Sequence, residues 1–164
     1  MAIESLKDVY IDQLQDMYSA CQQSHDVTKA LARAATDPNL REALERGVGG
    51  IERGMSTVKE ILKSHDADPE GEHCKGMEGL VKEAHAHALE AEFGDDAARD
   101  AMIITQYQRM AHYAIAGYGC CHAFAQRLEQ SHDARRLSMC LDKSYDGDRE
   151  MTALAENGVN RKAA

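Results

Sequence analysis

The sequence predicts an all-α protein built as a bundle of long helices. Apolar residues recur every three or four positions over most of the 164 residues, which is the spacing of one face of an α-helix. The chain has only two prolines and many helix-forming residues, so few positions interrupt a helix. An all-β fold needs β-branched runs and frequent turn signals, and is nearly excluded. The length suits one domain over residues 1–164.

The first two predicted helices form an antiparallel hairpin. Ser5 begins a capping-box pattern that opens helix 1, whose apolar stripe continues to about Ala35. Asp37 and Pro38 suit the cap and the first position of helix 2, which should run to about Ser64. Because the connection is very short, the two helices must pack side by side in opposite directions.

A second hairpin is predicted in the last third of the chain. Asp95 should cap helix 3, over about residues 96–130, and Ser131 should cap helix 4, over about residues 132–156. The pair Asn157-Gly158 is typical of a helix end and should stop helix 4. This connection is also short, so the same packing argument holds.

The segment between the hairpins contains a polar loop over residues 65–73 and a shorter helix from about Gly76 to Phe93. This connection must let helix 3 start beside its partners, so we expect it to cross the bundle. Two helical hairpins joined by a crossover define a four-helix bundle of the ferritin-like kind, with one short additional helix in the crossover.

Charge and apolar patterning exclude several classes of partner. The net charge of −9 and the pI of 5.3 argue against binding to nucleic acid or anionic lipid, which both require a basic face. The longest continuous apolar run, Ala101 to Ile104, is far too short to cross a membrane, and residues 1–8 lack the apolar core of a signal peptide. We therefore expect a cytoplasmic protein, with its five cysteines as free thiols.

Four segments resemble the YciE/YciF family of ferritin-like bacterial proteins associated with stress responses. The segments are Val9–Ala20, Cys74–Leu80, His112–Gly119 and Leu154–Asn160, and the resemblance runs almost end to end. It implies a ferritin-like bundle, a homodimer, a cytoplasmic location and a family that binds a di-metal centre of iron or manganese.

Six positions of this sequence correspond to the ligand pattern of that family. They are Cys21, Gly50, Gly54, Ala114, Ser144 and Asp148, and the register of the two hairpins places them in one layer of the core. A di-iron or di-manganese site needs about four carboxylates and two imidazoles from facing helices. Because glycine and alanine carry no donor atom, we predict a degenerate metal layer and a non-enzymatic structural or stress-related role.

Two alternatives to this interpretation remain open. One is a metal-binding stress protein with a remodelled site around Cys21 and Asp148. The other is a small-molecule carrier that uses the vacated layer, where helix 2 carries four glycines and the opposite hairpin carries further small residues. The helix 2 glycines are Gly47, Gly49, Gly50 and Gly54, and the facing residues are Ala111, Ala114, Gly117 and Gly147. Alternatively, these glycines serve close helix packing.

The same layer should contain either helices shifted inward, larger neighbouring side chains or a bound molecule. We name Met17, Met55, Met110 and Tyr145 as the candidates. Tyr18, Tyr107 and Tyr118 are expected in the core together with Tyr145, with their hydroxyls hydrogen-bonded, and His112 is expected to be a packing residue rather than a ligand.

A second candidate site combines Cys121, His122 and Cys140, which the hairpin register brings to one level. Two thiols and an imidazole suit a soft or borderline ion such as zinc or copper(I). Neighbouring residues on a helix point about 100° apart, so Cys120 and Cys121 cannot both face Cys140. Buried cysteines that pack as small apolar residues are the simpler interpretation.

Overall fold

A computed structural model of the protein describes residues 3–164 and is helical throughout, with no strand in this range. The helices are α1 (Leu6–Ala34), α2 (Pro38–Ser64), α3 (Lys75–Ala84), α4 (Asp96–Arg127), α5 (Ser131–Leu154) and α6 (Asn160–Ala163). One π-helical turn, His85–Leu89, extends α3, and a second, Ala155–Val159, joins α5 to α6. Met1 and Ala2 lie outside the described residues; they belong to the segment 1–8, which the sequence predicts not to be a signal peptide.

The predicted arrangement of hairpins is confirmed. α1 pairs with α2, α4 pairs with α5, and the two hairpins meet through α1 against α4 and α2 against α5. The short helix α3 lies against both α1 and α4, and so carries the chain across the bundle from the first hairpin to the second. This is the ferritin-like arrangement with a helix in the crossover. No helix within residues 3–164 is both long and apolar enough to span a membrane.

Three of the predicted helix caps are present. Ser5 accepts a hydrogen bond from the backbone nitrogen of Asp8 at 3.2 Å. Asp37 accepts from the nitrogens of Asn39 and Leu40, and Asp95 accepts from the nitrogen of Ala98 at 2.8 Å. Each carboxylate or hydroxyl satisfies backbone donors that the first helical turn leaves without a partner.

The predicted ends of α1 and α2 are confirmed, but three other predicted boundaries need correction. Ser131 is the first residue of α5, and the preceding Gln130 makes no side-chain cap. The helix after the loop leaves regular α-geometry at Ala84 and ends after one π-helical turn, before Phe93. Asn157-Gly158 does not stop α5, because the chain continues through a π-helical turn and no glycine in the described range adopts the positive φ of a helix-ending glycine.

The α1–α2 connection is anchored to α4 by a buried carboxylate. Asp100, only 2 % exposed, accepts hydrogen bonds from the nitrogen and hydroxyl of Thr36, at 2.8 and 2.6 Å, and from the nitrogen of Asp37 at 2.8 Å. These bonds satisfy the buried carboxylate and hold the two hairpins at a defined height relative to one another. That height determines which residues of α1 and α4 share a layer.

Candidate functional site

Tyr118 of α4 occupies the layer in which the family's metal ligands would lie. Its side chain is buried, and its hydroxyl lies where a side chain at Gly54 of α2 would begin. A Cβ added to Gly54 would collide with this oxygen and would lie 3.4 Å from Tyr118 Cζ. The Sγ atom of Cys21 lies 3.4 Å from the same hydroxyl, within hydrogen-bond distance for sulfur. A phenol and a thiol therefore fill the layer.

Burial keeps both groups in their neutral forms at physiological pH. Burial raises the pKa of Cys21 to about 11, although the hydrogen bond with Tyr118 opposes this shift. Burial also raises the pKa of Tyr118 well above its usual value, and the neighbouring thiols of Cys21 and Cys140 add to the effect. In this arrangement Cys21 is therefore a neutral thiol that pairs with the Tyr118 hydroxyl.

The other two donors of the layer are engaged elsewhere. The Nε2 atoms of His112 and Gln108 contact Asp148 Oδ1, at 3.0 and 3.1 Å. The side chain of His112 is 63 % exposed, so the expectation that it packs against the core is wrong, whereas the side chain of Asp148 is only 17 % exposed. Ser144 donates its hydroxyl hydrogen to the carbonyl of Cys140 in its own helix, at 2.9 Å.

The six positions together do not fit two hard divalent cations. Gly50, Gly54 and Ala114 supply no donor, and Cys21 is paired with a phenol instead of facing a group of carboxylates. Within residues 3–164, no three or more His, Cys, Asp or Glu side chains are arranged so that they could hold a metal ion. The carboxylates and imidazoles that balance such charge in a bundle core are missing from this layer.

Aromatic and methionine side chains also occupy the space beside Gly47, Gly117 and Gly147, whereas a Cβ built on Gly49 or Gly50 meets only the Arg53 guanidinium, at 3.3 and 4.0 Å. The hydroxyl of Tyr107 lies 2.7 Å from a Cβ built on Gly47 and 3.7 Å from one built on Gly147. A Cβ on Gly117 would collide with the sulfur of Met17. Gly47, Gly117 and Gly147 thus admit large side chains from neighbouring helices, which is the close-packing interpretation.

The four side chains expected to fill the layer differ in how deeply they are buried. Met17 and Met110 are buried, and Met55 is partly buried against the same core. Tyr145 is 40 % exposed, so its placement in the core was wrong. Its ring lies beneath the guanidinium of Arg149, 5.5 Å from ring centre to Cζ, which is a surface cation–π arrangement.

The second candidate site does not assemble as a metal cluster within the described residues. Cys121 is fully buried, and burial raises its pKa to about 12. His122 Nδ1 lies 2.8 Å from the carbonyl of Ala134, which ties the ring to the α4–α5 hairpin. Cys140 is partly buried and its pKa is also raised by burial. All five cysteines are free thiols, and Cys120 is the exposed one.

The structure adds two polar networks that the sequence did not indicate. In one, Cys74 donates to the hydroxyl of Tyr113, which donates to Asp16 at 2.8 Å. In the other, Lys7, His65 and Asp133 form a chain of contacts at one end of the bundle. Their members lie far apart in the sequence, on different helices, so no local spacing could have identified either network.

These features define the protein as a ferritin-like helical bundle in which Tyr118 packs against Gly54 and Cys21. Residues 5–164 match the family described as "Domain of unknown function (DUF892)". The chain is also 33 % identical to Protein YciF of Escherichia coli over 168 residues, which covers 99 % of this chain and 98 % of that protein. It therefore belongs to the YciE/YciF family.

Solved structures show the same relationship. The crystal structure of the E. coli stress protein YciF matches with a TM-score of 0.88 at 29 % identity, over 98 % of this chain and all of that one. YcfI from Rhodopseudomonas palustris, provisionally described as a structural protein, matches with a TM-score of 0.85 at 27 % identity, over 92 % of this chain and 94 % of that one. The fold is thus common to this chain and these two relatives.

Proposed function

We propose that this chain is a YciF-type stress-associated protein that works without a di-metal centre, through its structure and its contacts with other molecules. The observation that carries this proposal is the position of Tyr118, whose hydroxyl fills the notch at Gly54 and contacts Cys21. Metal could enter this layer only if the phenol left it. A buried aromatic side chain contributes several kcal/mol to stability, so its displacement would be costly.

The geometry gives little support to the two alternatives. A site remodelled around Cys21 and Asp148 would need both donors to turn toward one ion, whereas Cys21 faces Tyr118 and Asp148 faces the exposed His112. A carrier would need a cavity beside the helix 2 glycines, but Tyr118 and Tyr107 occupy the space at Gly54 and Gly47. Two depressions on the described surface are lined by other residues, one around Gly71 and one around Arg41.

Metal analysis tests this proposal directly. The purified protein is incubated with Fe(II) or Mn(II) without oxygen, desalted, and analysed by inductively coupled plasma mass spectrometry. We expect far less than one ion per chain, and an unfolding temperature that a chelator leaves unchanged. Two ions per chain, or a chelator-sensitive unfolding temperature, would contradict the proposal.

Matched variants distinguish a remodelled site from background binding. Cys21→Ala and Asp148→Asn each remove one of the two donors that the alternative requires. We expect their metal content to equal that of the wild type. A loss of bound metal in both variants would establish the remodelled site instead.

We further propose that the protein is a cytoplasmic homodimer, as the family resemblance implies. Sedimentation velocity over a wide range of protein concentrations tests the oligomeric state. A species of twice the chain mass of 18.1 kDa is expected. Observation of only the monomer at the highest concentration would contradict the dimer, while leaving the metal-independent role intact.

A further inference from the structure

A lysine, a histidine and a carboxylate form a continuous chain at the end of the bundle where α1 begins, α2 ends and α5 begins. Lys7 Nζ lies 2.5 Å from His65 Nδ1, and His65 Nε2 lies 2.8 Å from Asp133 Oδ2. Tyr10 donates its hydroxyl hydrogen to the same carboxylate oxygen at 3.2 Å. Three separate elements thus converge on His65.

Burial makes this arrangement rigid. The side chains of His65 and Asp133 are 12 % and 9 % exposed, and Tyr10 is fully buried. The Tyr10 ring meets the His65 ring edge to face, with centres 5.8 Å apart, and lies 5.6 Å from Lys7 Nζ. Lys7 itself is only partly buried, so its amine is the member of the chain that a small solute can approach.

We propose that Lys7 is a reactive amine that condenses with small aldehydes to form an imine, with His65 as the proton acceptor and Asp133 as its positioning residue. A nucleophile, an adjacent base and a group that orients the base form the arrangement found wherever a side chain is activated for attack. Here the nucleophile is an amine.

The order of hydrogen bonds determines where the proton moves. Asp133 accepts from His65 Nε2, which leaves the lone pair of Nδ1 facing the Lys7 ammonium. When Lys7 passes a proton to Nδ1, the resulting imidazolium is paired directly with the Asp133 carboxylate. Burial also lowers the pKa of Lys7, although the charge of Asp133 opposes this shift. Burial therefore favours the neutral amine, the Asp133 charge opposes it, and the imidazolium formed by proton transfer is stabilised by its pairing with Asp133.

The reaction is balanced without an oxidant or a reductant. The Lys7 nitrogen forms a bond to the carbonyl carbon, and the carbonyl π electrons move to oxygen. The carbonyl oxygen takes up two protons, one from the His65 imidazolium and one from the attacking nitrogen, and leaves as water while the C=N bond forms. His65 returns to its neutral form, the nitrogen keeps the last proton of the original ammonium, and the products are a protonated imine on Lys7 and one molecule of water.

Few other titratable groups of the described residues lie near the contacts between Lys7, His65 and Asp133. On α5, His132 Nδ1 lies 3.8 Å from the second oxygen of Asp133, with a side chain 73 % exposed. On α4, Cys121 lies behind Tyr10 and contributes to raising the pKa of that phenol. Neither group contacts His65 Nδ1, so the proton path from Lys7 leads to His65.

Reductive trapping tests the proposal on the intact protein. The protein is treated with a limiting amount of propanal and sodium cyanoborohydride, and the modified lysines are quantified by peptide mass spectrometry. Lys143, whose side chain is 78 % exposed, is the internal reference. We expect Lys7 to be labelled at least about tenfold faster than Lys143 at pH 7.5, because His65 takes up its proton during the attack. Labelling of Lys7 within twofold of Lys143 would overturn the proposal.

Variants separate activation by His65 from simple burial. His65→Gln and Asp133→Asn should reduce the labelling of Lys7 to the level of Lys143 and leave Lys143 unchanged. If His65→Gln retains the tenfold advantage, the histidine is not the proton acceptor and the proposal fails. If the variants do not fold by circular dichroism, the wild-type pH profile decides. Labelling of Lys7 that levels off at a lower pH than that of Lys143 supports the proposal, and parallel profiles overturn it.

Discussion

The hydroxyl of Tyr118 lies in the space that a side chain at Gly54 would occupy, so α2 has a notch and α4 fills it. This relationship explains why a glycine is present in the middle of a helix, where it costs about 1 kcal/mol relative to alanine. The phenol also contacts Cys21, so one aromatic side chain connects α1, α2 and α4. The layer is closed by protein atoms.

The notch leads to a prediction about overpacking. Gly54→Ala should lower the free energy of unfolding by about 2 kcal/mol, because the added methyl group collides with the buried phenol oxygen. In the Gly54→Ala background, Tyr118→Phe should recover about 1 kcal/mol or more, since it removes that oxygen. Urea denaturation of the four proteins of this double-mutant cycle measures the coupling.

Gly79 provides the matched control for this cycle. It lies within α3, and a Cβ added there meets nothing within 4 Å. Gly79→Ala should therefore raise the free energy of unfolding by about 0.5–1 kcal/mol. A Gly54→Ala protein as stable as the wild type, or a cycle with no coupling, would contradict the packing that we describe.

A second prediction concerns the buried carboxylate of Asp100. Asp100→Ala should cost about 3 kcal/mol, because the backbone nitrogens of Thr36 and Asp37 lose their acceptor in a buried place. Thermal and urea unfolding measure this loss. The exposed Asp142→Ala should change stability by less than about 0.5 kcal/mol. Equal effects of the two substitutions would show that the contacts of Asp100 do not stabilise the fold.

A third prediction follows from the distribution of the thiols. In the native protein at pH 8, one thiol should react rapidly with an aromatic disulfide reagent, because Cys120 is the exposed cysteine and Cys21, Cys74 and Cys121 are buried. After denaturation without oxidant, all five should react. Cys120→Ser should abolish the rapid phase. A rapid phase that survives this substitution would place the reactive thiol elsewhere.

A fourth prediction concerns alkaline pH. Burial raises the pKa of Cys121 from its ordinary value of 9.0 to about 12, so the folded state retains the thiol proton more strongly than the unfolded state. The stabilising contribution is complete below pH 9 and is lost as the pH rises toward 12. The free energy of unfolding should fall by roughly 1.4 kcal/mol per pH unit from this group within that window.

Cysteine variants identify the group responsible. Cys121→Ala should remove its own share of the decrease in stability between pH 9 and pH 11 and leave the share of Cys21, whose pKa burial raises to about 11; it also lowers stability at pH 7 by leaving a small cavity. The exposed Cys120→Ser should keep the wild-type slope. If Cys121→Ala and the wild type lose stability at the same rate with pH, the burial of this thiol does not govern the alkaline limit.

Helix boundaries were predictable where a side chain caps the backbone locally. Ser5, Asp37 and Asp95 each bond to a nitrogen two or three residues ahead, so the sequence contains the whole interaction. Asn157-Gly158 was read as a helix end by the same reasoning and continues as a π-helical turn. Local composition could not reveal this, because α6 and the turn before it pack against α4.

The candidate site was predictable only in its register. The lengths of the hairpin connections correctly placed Cys21 and Gly54 at the same level, and Tyr118 contacts both positions. The sequence did not predict which side chains occupy this level. Tyr145 was expected to fill it and is exposed, whereas the rings of Tyr107 and Tyr118 reach the glycines of α2. The rotation of a helix by a fraction of a turn changes which of its side chains face this level.

The sequence by itself determined the helical class, the two hairpins, the crossover and the family, because these depend on periodicity, local caps and ordered motifs along the chain. Only the tertiary structure decided that Tyr118 closes the layer at Gly54 and that Lys7, His65 and Asp133 meet. Contacts of this kind depend on how distant helices rotate and slide against one another. The rotation and shift of each helix depend on the packing of many side chains at once. No short segment of the sequence therefore determines these contacts.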